Sequence, residues 1–141
     1  MQFERSDIVL DVQMALEKSG VNPENIILEI TESGYIDHVE LQKILDEFHA
    51  MKIRVDIDDF GTGYSNFERI IGLPIDIIKF DRSLTILAGK SDESKFMVGS
   101  FSEIFQKADY QILFEGVEDE KDEQQCIDMD AMYLQGYKYS K

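Results

Sequence analysis

Three carboxylates crowd the end of an apolar stretch in the segment VDIDDFGTGYSN, residues 55–66. Asp56, Asp58 and Asp59 fall within four residues, and a glycine-rich turn follows them directly. Two carboxylates a few ångströms apart repel each other by several kcal/mol at an effective dielectric constant of about 20, so a proton or a cation must compensate them. Oxygen ligands without cysteine or histidine suit Mg²⁺ or Mn²⁺ and argue against structural zinc. The segment therefore predicts a divalent metal site.

The glycines of this segment allow a tight turn over a ligand. Gly61 and Gly63, on either side of Thr62, can adopt backbone angles closed to other residues and can present backbone N–H groups to an anion. A solvated loop between a strand and a helix would show the same residues. Charged residues at the other predicted strand ends favour a functional turn over that alternative.

Polar residues also end the other predicted strands. Glu29, Lys79, Glu115 and Gln135 each lie where an apolar run finishes. The carboxyl ends of parallel strands form a single face in α/β folds, and active sites are built on that face. We therefore expect these four side chains to converge with the acidic pair that precedes the glycine-rich turn.

Short apolar runs alternate with amphipathic ones along the chain, which is typical of βα units. Long connections of this kind make neighbouring strands parallel. About five consecutive units without a reversal predict part of a (β/α) barrel, with a mainly parallel sheet, better than a doubly wound sheet. The predicted strands span residues 25–30, 53–57, 75–80, 111–114 and 132–137. The predicted helices span 7–19, 41–51, 66–71 and 120–129, and a long helix before the fourth strand turns Met97, Phe101, Ile104 and Phe105 towards the core.

The overall composition indicates one domain with a real core, since the chain has 141 residues of which 43% are hydrophobic. Its 29 acidic and 14 basic residues give a net charge of −15, which argues against binding to nucleic acid polymers or anionic lipid. Cys126 is the single cysteine, so no intramolecular disulfide can form. No apolar run approaches the roughly 18 residues of a membrane span, and the start lacks a signal-peptide pattern. These features predict a cytoplasmic protein without a membrane segment.

Five motifs in order resemble those of EAL-type cyclic di-GMP phosphodiesterases, and together they cover nearly the whole chain. The resemblance implies a modified TIM barrel and the metal-dependent hydrolysis of cyclic di-GMP to the linear dinucleotide pGpG. It also makes residues 1–141 a single EAL-type domain. The motifs are LEITES (28–33), DDFGTGYS (58–65), IIKFDRS (77–83), EGVE (115–118) and QGY (135–137).

The resemblance assigns roles to individual residues of this chain. It implies a two-metal site for Mg²⁺ or Mn²⁺, a type of site in which the metals lie about 3.5–4 Å apart and stabilise an in-line phosphoryl displacement. Asp59 would bridge to the attacking water, Lys79 would be a partner of that water, and Glu115 would be a catalytic glutamate. The implied metal ligands are Glu29, Asp58, Asp59 and Glu115. The implied supporting and loop residues are Glu32, Glu118, Gln135, Gly61, Thr62 and Gly63.

The chain departs from the family pattern at two metal ligands. The family's Glu-Ala-Leu on its first strand and an asparagine on its second strand each supply a ligand, and neither has a counterpart in this sequence. We therefore expect a truncated domain that is inactive in isolation. A barrel of this type commonly has about 250 residues, and missing strands expose two sheet edges and the apolar interior. We expect these exposed surfaces to be covered by self-association of the chain or by another chain that completes the barrel.

Three functions are compatible with these residues. The chain is a working phosphodiesterase whose missing ligands come from elsewhere, or a noncatalytic nucleotide-binding or protein-interaction module in cyclic di-GMP signalling, or part of a longer phosphodiesterase that is catalytic only in that context. The intact internal motifs favour the third. Metal-dependent release of linear product separates the first from the others, and nucleotide binding without turnover supports the second.

Overall fold

The computed structural model describes residues 5–31, 37–62, 70–129, 131–136 and 138–139. The predicted helix over 66–71 lies mostly outside these residues. Within them, no helix combines the length and the apolar character that crossing a bilayer requires. The elements are α1 (Arg5–Ser19), a 3₁₀ turn (Pro23–Asn25), β1 (Ile27–Thr31), α2 (His38–Ala50), β2 (Arg54–Phe60), β3 (Ile77–Phe80), α3 (Arg82–Ala88), α4 (Asp92–Lys107), β4 (Gln111–Phe114), α5 (Glu120–Asp128) and β5 (Tyr133–Leu134).

The five described strands form one parallel sheet in sequence order, β1-β2-β3-β4-β5. This order confirms the predicted α/β fold of about five βα units. Several boundaries differ from the prediction by one to three residues; among the strands, β2 continues through the acidic residues to Phe60 and β5 is only two residues long. The short helix α3 was absent from the prediction. It begins where the Asp81 carboxylate accepts a hydrogen bond from the Ser83 N–H (2.7 Å), and Gly89 caps its end.

The two faces of the sheet differ in chemistry. Residues at alternate positions of a strand point to opposite faces. One set, which includes Ile78 and Phe80 of β3, is fully buried in the core beneath the helices. The other set includes Asp56 and Asp58 of β2 and Lys79 of β3. The apolar face therefore holds the sheet on its helices, and the polar face is left for the site.

Helix α4 buries only part of the predicted stripe: Phe105 is buried and Phe101 packs against the core, as predicted. Met97 and Ile104 are 53% and 59% exposed, whereas Val98, Ser102 and Phe105 are buried. Residues one position apart lie about 100° apart around a helix, so neighbouring apolar residues cannot all lie at the centre of the buried face. Phe105 fixes the observed rotation through edge-to-face contacts with rings of the sheet, which are Phe60 at 5.3 Å and Phe80 at 6.1 Å between centroids.

A capping serine fixes the start of α4, and its loss should cost a measurable amount of stability. The Ser91 hydroxyl accepts a hydrogen bond from the Ser94 N–H at 3.0 Å. Replacing such a cap with alanine leaves a helix N–H without its partner, so Ser91→Ala is expected to lower the free energy of unfolding by about 1 kcal/mol. Urea denaturation followed by circular dichroism measures the change. Ser100→Ala is the control, because Ser100 donates only to the Phe96 carbonyl within the same helix, and an equal loss in both variants would contradict the capping role.

Candidate active site

A bulge at the end of β2 brings consecutive aspartates to one place. The pairing of β2 with β3 shifts between Ile57 and Phe60, so that β2 carries an extra residue there. Asp59 has a positive φ of 58°, in the left-handed region, which aspartate tolerates better than most residues. The Asp59 N–H is held by the Asp58 side chain at 3.0 Å. Neighbours in a regular strand face opposite ways, so the bulge is what lets Asp58 and Asp59 share a site.

The two aspartates form a three-carboxylate cluster with Glu115. One carboxylate oxygen from each of Asp58, Asp59 and Glu115 lies within 4.8 Å of the others. Glu115 follows β4 directly, and its N–H donates to the Phe80 carbonyl at 2.9 Å, which continues the β3–β4 ladder one residue beyond the strand. The predicted convergence of strand ends therefore holds for β2 and β4.

The electrostatics of this cluster reflect charge repulsion. Partial burial, with a hydrogen bond to Asp58 and the Asp58 charge, raises the pKa of Glu115 to about 7. The Asp58 charge is also the main cause of a raised pKa at Asp59. Both shifts mean that the ionised cluster is disfavoured in the absence of a cation.

Lys79 supplies a positive charge that counteracts the raised pKa values of Asp59 and Glu115. It is 8% exposed in the middle strand, and its Nζ donates a hydrogen bond to Glu29 Oε1 in an ion pair. Burial by itself would lower the pKa of Lys79, but the hydrogen bond and charge of Glu29, with the charges of Asp58 and Glu115, raise it overall. Lys79 is therefore a cation at neutral pH. Glu29 lies on the same face but pairs with this lysine instead of joining the cluster of three.

A network of contacts holds the loop that carries Glu115. Gly116 has φ 76°, and a Cβ there would lie 2.4 Å from Cγ of Arg82. The Arg82 guanidinium bonds the Glu118 carboxylate at 2.6 Å. From α3, the Thr85 hydroxyl donates to the Glu115 carbonyl at 2.7 Å. The loop is thus packed against α3 over several residues.

The remaining predicted residues occupy peripheral positions. Thr62 donates through its hydroxyl to the Asp59 carbonyl at 2.8 Å and so closes the turn after the bulge. Gly61 has φ 100° in the same turn. The Gln135 carbonyl accepts from the Val117 N–H at 3.1 Å, and Glu118 is held by Arg82. The predicted residues Glu32 and Gly63 lie outside the described residues.

Comparison with known proteins identifies the family. A family model of the EAL domain matches residues 1–141. The chain belongs to the EAL domain family. The cyclic di-GMP phosphodiesterase PdeL of Escherichia coli K12 is 33% identical over 126 residues, which cover 89% of this chain and 35% of PdeL. The resemblance seen in the motifs is therefore confirmed.

Solved EAL structures share the fold of this EAL chain. The EAL enzyme Bd1971, bound to cAMP and cyclic di-GMP, has a TM-score of 0.87 at 30% identity, covering 96% of this chain and 36% of that one. BlrP1 of Klebsiella pneumoniae, in a complex with calcium and cyclic di-GMP, has a TM-score of 0.84 at 25% identity, covering 96% and 34%. The EAL chain thus spans about a third of the length of PdeL and of both structures.

Two further acidic residues lie near the site of this EAL chain: Asp56, which belongs to the predicted acidic segment but was assigned no role of its own, and Asp81, which was not predicted to act there. Asp56 is 2% exposed on β2, with its Oδ1 3.5 Å from Nε of Arg54, and both atoms lack a hydrogen-bond partner among the described residues. Burial is the main cause of the raised pKa of Asp56. Asp81, directly after β3, contributes to the raised pKa of Asp59. Its position just beyond a strand end is the signal that could have found it.

The donor set of this EAL chain fits a hard divalent cation. The cluster offers three carboxylate oxygens and no sulfur or imidazole, which is the chemistry of magnesium, manganese and calcium sites. The raised pKa values of Asp59 and Glu115 also favour a cation site, because they show that the ionised carboxylates lack compensation and a bound cation would supply it.

Proposed function

We propose that this chain forms part of the active site of a cyclic di-GMP phosphodiesterase, which hydrolyses one phosphodiester bond to release pGpG. The observation that carries the proposal is the cluster of Asp58, Asp59 and Glu115 with the cationic Lys79 on the adjoining middle strand. Similarity to PdeL supports the choice of substrate. As part of the same proposal, the chain is inactive in isolation and catalytic only within a longer phosphodiesterase.

The acidic residues act by binding a metal, and the lysine acts on the anionic substrate. Asp58, Asp59 and Glu115 would hold Mg²⁺ or Mn²⁺, with Glu29 as a ligand of a second ion once it leaves Lys79. A bound divalent ion supplies charge stabilisation to the phosphoryl oxygens and lowers the pKa of water. Lys79 offers N–H donors and a positive charge to a phosphate oxygen or to the attacking water. Glu115 has a pKa of about 7 without metal, and a bound cation would keep its carboxylate ionised as a ligand.

The test combines a measurement of cyclic di-GMP binding with an analysis for the product pGpG. The purified chain is titrated with cyclic di-GMP by calorimetry in the presence of Mn²⁺, and the same mixture is chromatographed for pGpG. Product that disappears in Asp59→Asn supports a phosphodiesterase. Absence of both binding and product from the chain, and from a longer protein that contains it, would overturn the proposal.

A second function, nucleotide binding without turnover, is favoured by one contact. Glu29 is engaged by Lys79 and stands apart from the three-carboxylate cluster. Both residues are then less available for hydrolysis, because each satisfies the other's charge. Calorimetric binding of cyclic di-GMP with no pGpG after prolonged incubation would identify such a module in cyclic di-GMP signalling.

Metal affinity is expected to fall as the pH drops below 7. Glu115 has a pKa of about 7 without metal, so at lower pH the ion must displace a proton from this carboxyl. Each pH unit below 7 should therefore weaken Mn²⁺ binding by up to about tenfold, while the dependence above pH 7 flattens. Titrations at pH 6, 7 and 8 measure the slope. Glu115→Gln has no such proton, and an unchanged slope in that variant would show that another group is responsible.

A further inference from the structure

The buried residue Thr85 makes a partly buried hydrogen bond with the backbone of the proposed metal-ligand loop. Its hydroxyl donates to the Glu115 carbonyl at 2.7 Å, and Thr85 is 2% exposed. The two residues are 30 positions apart in sequence and belong to different elements. The Glu115 carbonyl lies beyond the end of β4, so the threonine supplies a hydrogen bond after the regular ladder has ended. The bond is partly buried, and a carbonyl that loses its donor there keeps part of the cost of its desolvation, so this contact holds the loop.

The contact between Thr85 and Glu115 lies where the loop leaves strand β4. The Glu115 N–H is fixed by the Phe80 carbonyl on β3 at 2.9 Å, and the Glu115 carbonyl is fixed by Thr85 on α3. The next residue, Gly116, adopts a positive φ of 76°, where glycine turns most easily. The Phe80 carbonyl thus holds the peptide plane before Glu115, and the Thr85 hydroxyl holds the plane between Glu115 and Gly116.

Helix α3 is itself bonded to helix α5, which fixes the position of Thr85. The Gln125 side chain, on α5, donates through Nε2 to the Thr85 carbonyl at 2.9 Å, and Gln125 is 9% exposed. Two helices are thus tied by a buried polar chain to the residue whose carboxylate belongs to the acidic cluster. Buried polar chains of this kind restrict a structure to one geometry when each member is satisfied.

We propose that Thr85 is a positioning residue that orients Glu115 for metal binding. This inference rests on the proposed function, because it takes the acidic cluster as the metal site. Thr85 does not touch the metal or the substrate and acts only through the backbone of Glu115. Partners that orient a ligand are typically worth about ten- to a hundredfold in metal affinity.

The test compares hydroxyl loss with hydroxyl retention at position 85. Thr85→Val keeps the shape and removes the donor, Thr85→Ala removes the donor without branching, and Thr85→Ser keeps the donor. Mn²⁺ affinity is measured by electron paramagnetic resonance, with folding checked by circular dichroism. We expect about tenfold weaker binding in the valine and alanine variants and binding within about twofold of wild type in the serine variant.

A matched control separates positioning from loss of stability. Ser102→Ala removes another fully buried hydroxyl, one that accepts from Gln106 Nε2 at 3.0 Å on α4. It should leave Mn²⁺ affinity unchanged. The proposal is overturned if Thr85→Val or Thr85→Ala, while folded, binds Mn²⁺ as wild type does, if Thr85→Ser loses as much affinity as they do, or if neither of the first two folds.

Failure of the proposed function would look different. Wild type would then bind no Mn²⁺ at any concentration used. The Gly116 amide signal in a nitrogen–proton correlation spectrum would still report on the contact, because it belongs to the peptide that Thr85 holds. A shift of that signal in Thr85→Val but not in Thr85→Ser supports the contact independently of metal, and equal spectra would contradict it.

Discussion

Asp58→Asn is expected to reduce Mn²⁺ affinity about a hundredfold or more while leaving the metal-free protein at least as stable as wild type. Loss of ligand-orienting partners already costs ten- to a hundredfold in metal sites, so loss of a charged ligand should reach the upper end or exceed it. The metal-free protein responds in the opposite sense, because the Asp58 charge raises the pKa of Asp59 and contributes to that of Glu115. Asparagine removes this repulsion and retains an oxygen that can accept from the Asp59 N–H.

The measurement joins calorimetric Mn²⁺ titration with urea denaturation in the presence of a chelator. Asp46→Asn is the matched control, because it makes the same change of charge at an exposed position on α2. It should leave Mn²⁺ affinity unaltered. If Asp58→Asn kept wild-type Mn²⁺ affinity, the metal would bind at another site. If Asp58→Asn had a lower urea midpoint than wild type without metal, the role of Asp58 would be mainly structural.

Gly136→Ala is expected to destabilise the fold by about 3 kcal/mol or more, because the added methyl group has no space. A Cβ at this position would lie 2.3 Å from the Val117 carbonyl oxygen and 2.4 Å from its nitrogen. These are backbone atoms that cannot rotate away. They also carry hydrogen bonds, from the Val117 N–H to the Gln135 carbonyl and from the Lys138 N–H to the Val117 carbonyl, both at 3.1 Å.

Urea denaturation measures this loss, and a second glycine provides the comparison. Gly89 has an ordinary φ of −75°, and a Cβ there would meet its nearest atoms at 3.4 Å, which is normal contact. Gly89→Ala should therefore change the urea midpoint little. If both variants unfolded at the same urea concentration, the close approach of Gly136 to Val117 would not be limiting for stability.

The order of the strands could be predicted because each strand is a buried apolar run between amphipathic segments. The bulge in β2 could not, because Asp58 and Asp59 read as the start of a solvated loop when strands are identified by apolar character. Only the tertiary structure shows that the chain continues in the sheet to Phe60 and turns Asp59 into a left-handed conformation. The sequence thus indicated that Asp58, Asp59 and Glu115 lie close together but not the bulge that brings them there, and their role as metal ligands stays a prediction.

Contacts between residues far apart in the chain could not be predicted from the sequence either. Glu29 and Lys79 were both predicted at strand ends, yet nothing in either motif indicates that they pair with each other across 50 positions. The contact from Thr85 to Glu115 has the same character, since a threonine in a short helix has no periodic signal that marks it as a donor. Met97 and Ile104 were assigned to the core because apolar stripes one residue apart on a helix are distinguished only by what packs against them.

The arrangement of the sheet gives the site a graded resistance to local unfolding. The cluster and Lys79 lie at the ends of the three inner strands β2, β3 and β4, whereas Glu29 belongs to β1 at one edge and Gln135 follows β5 at the other. Edge segments open at lower free energy than central ones, and β5 is joined to β4 by only two pairs of residues. Partial opening of these five strands would therefore release Glu29 and Gln135 first, and the cluster of Asp58, Asp59 and Glu115 would be preserved until the central strands unfold.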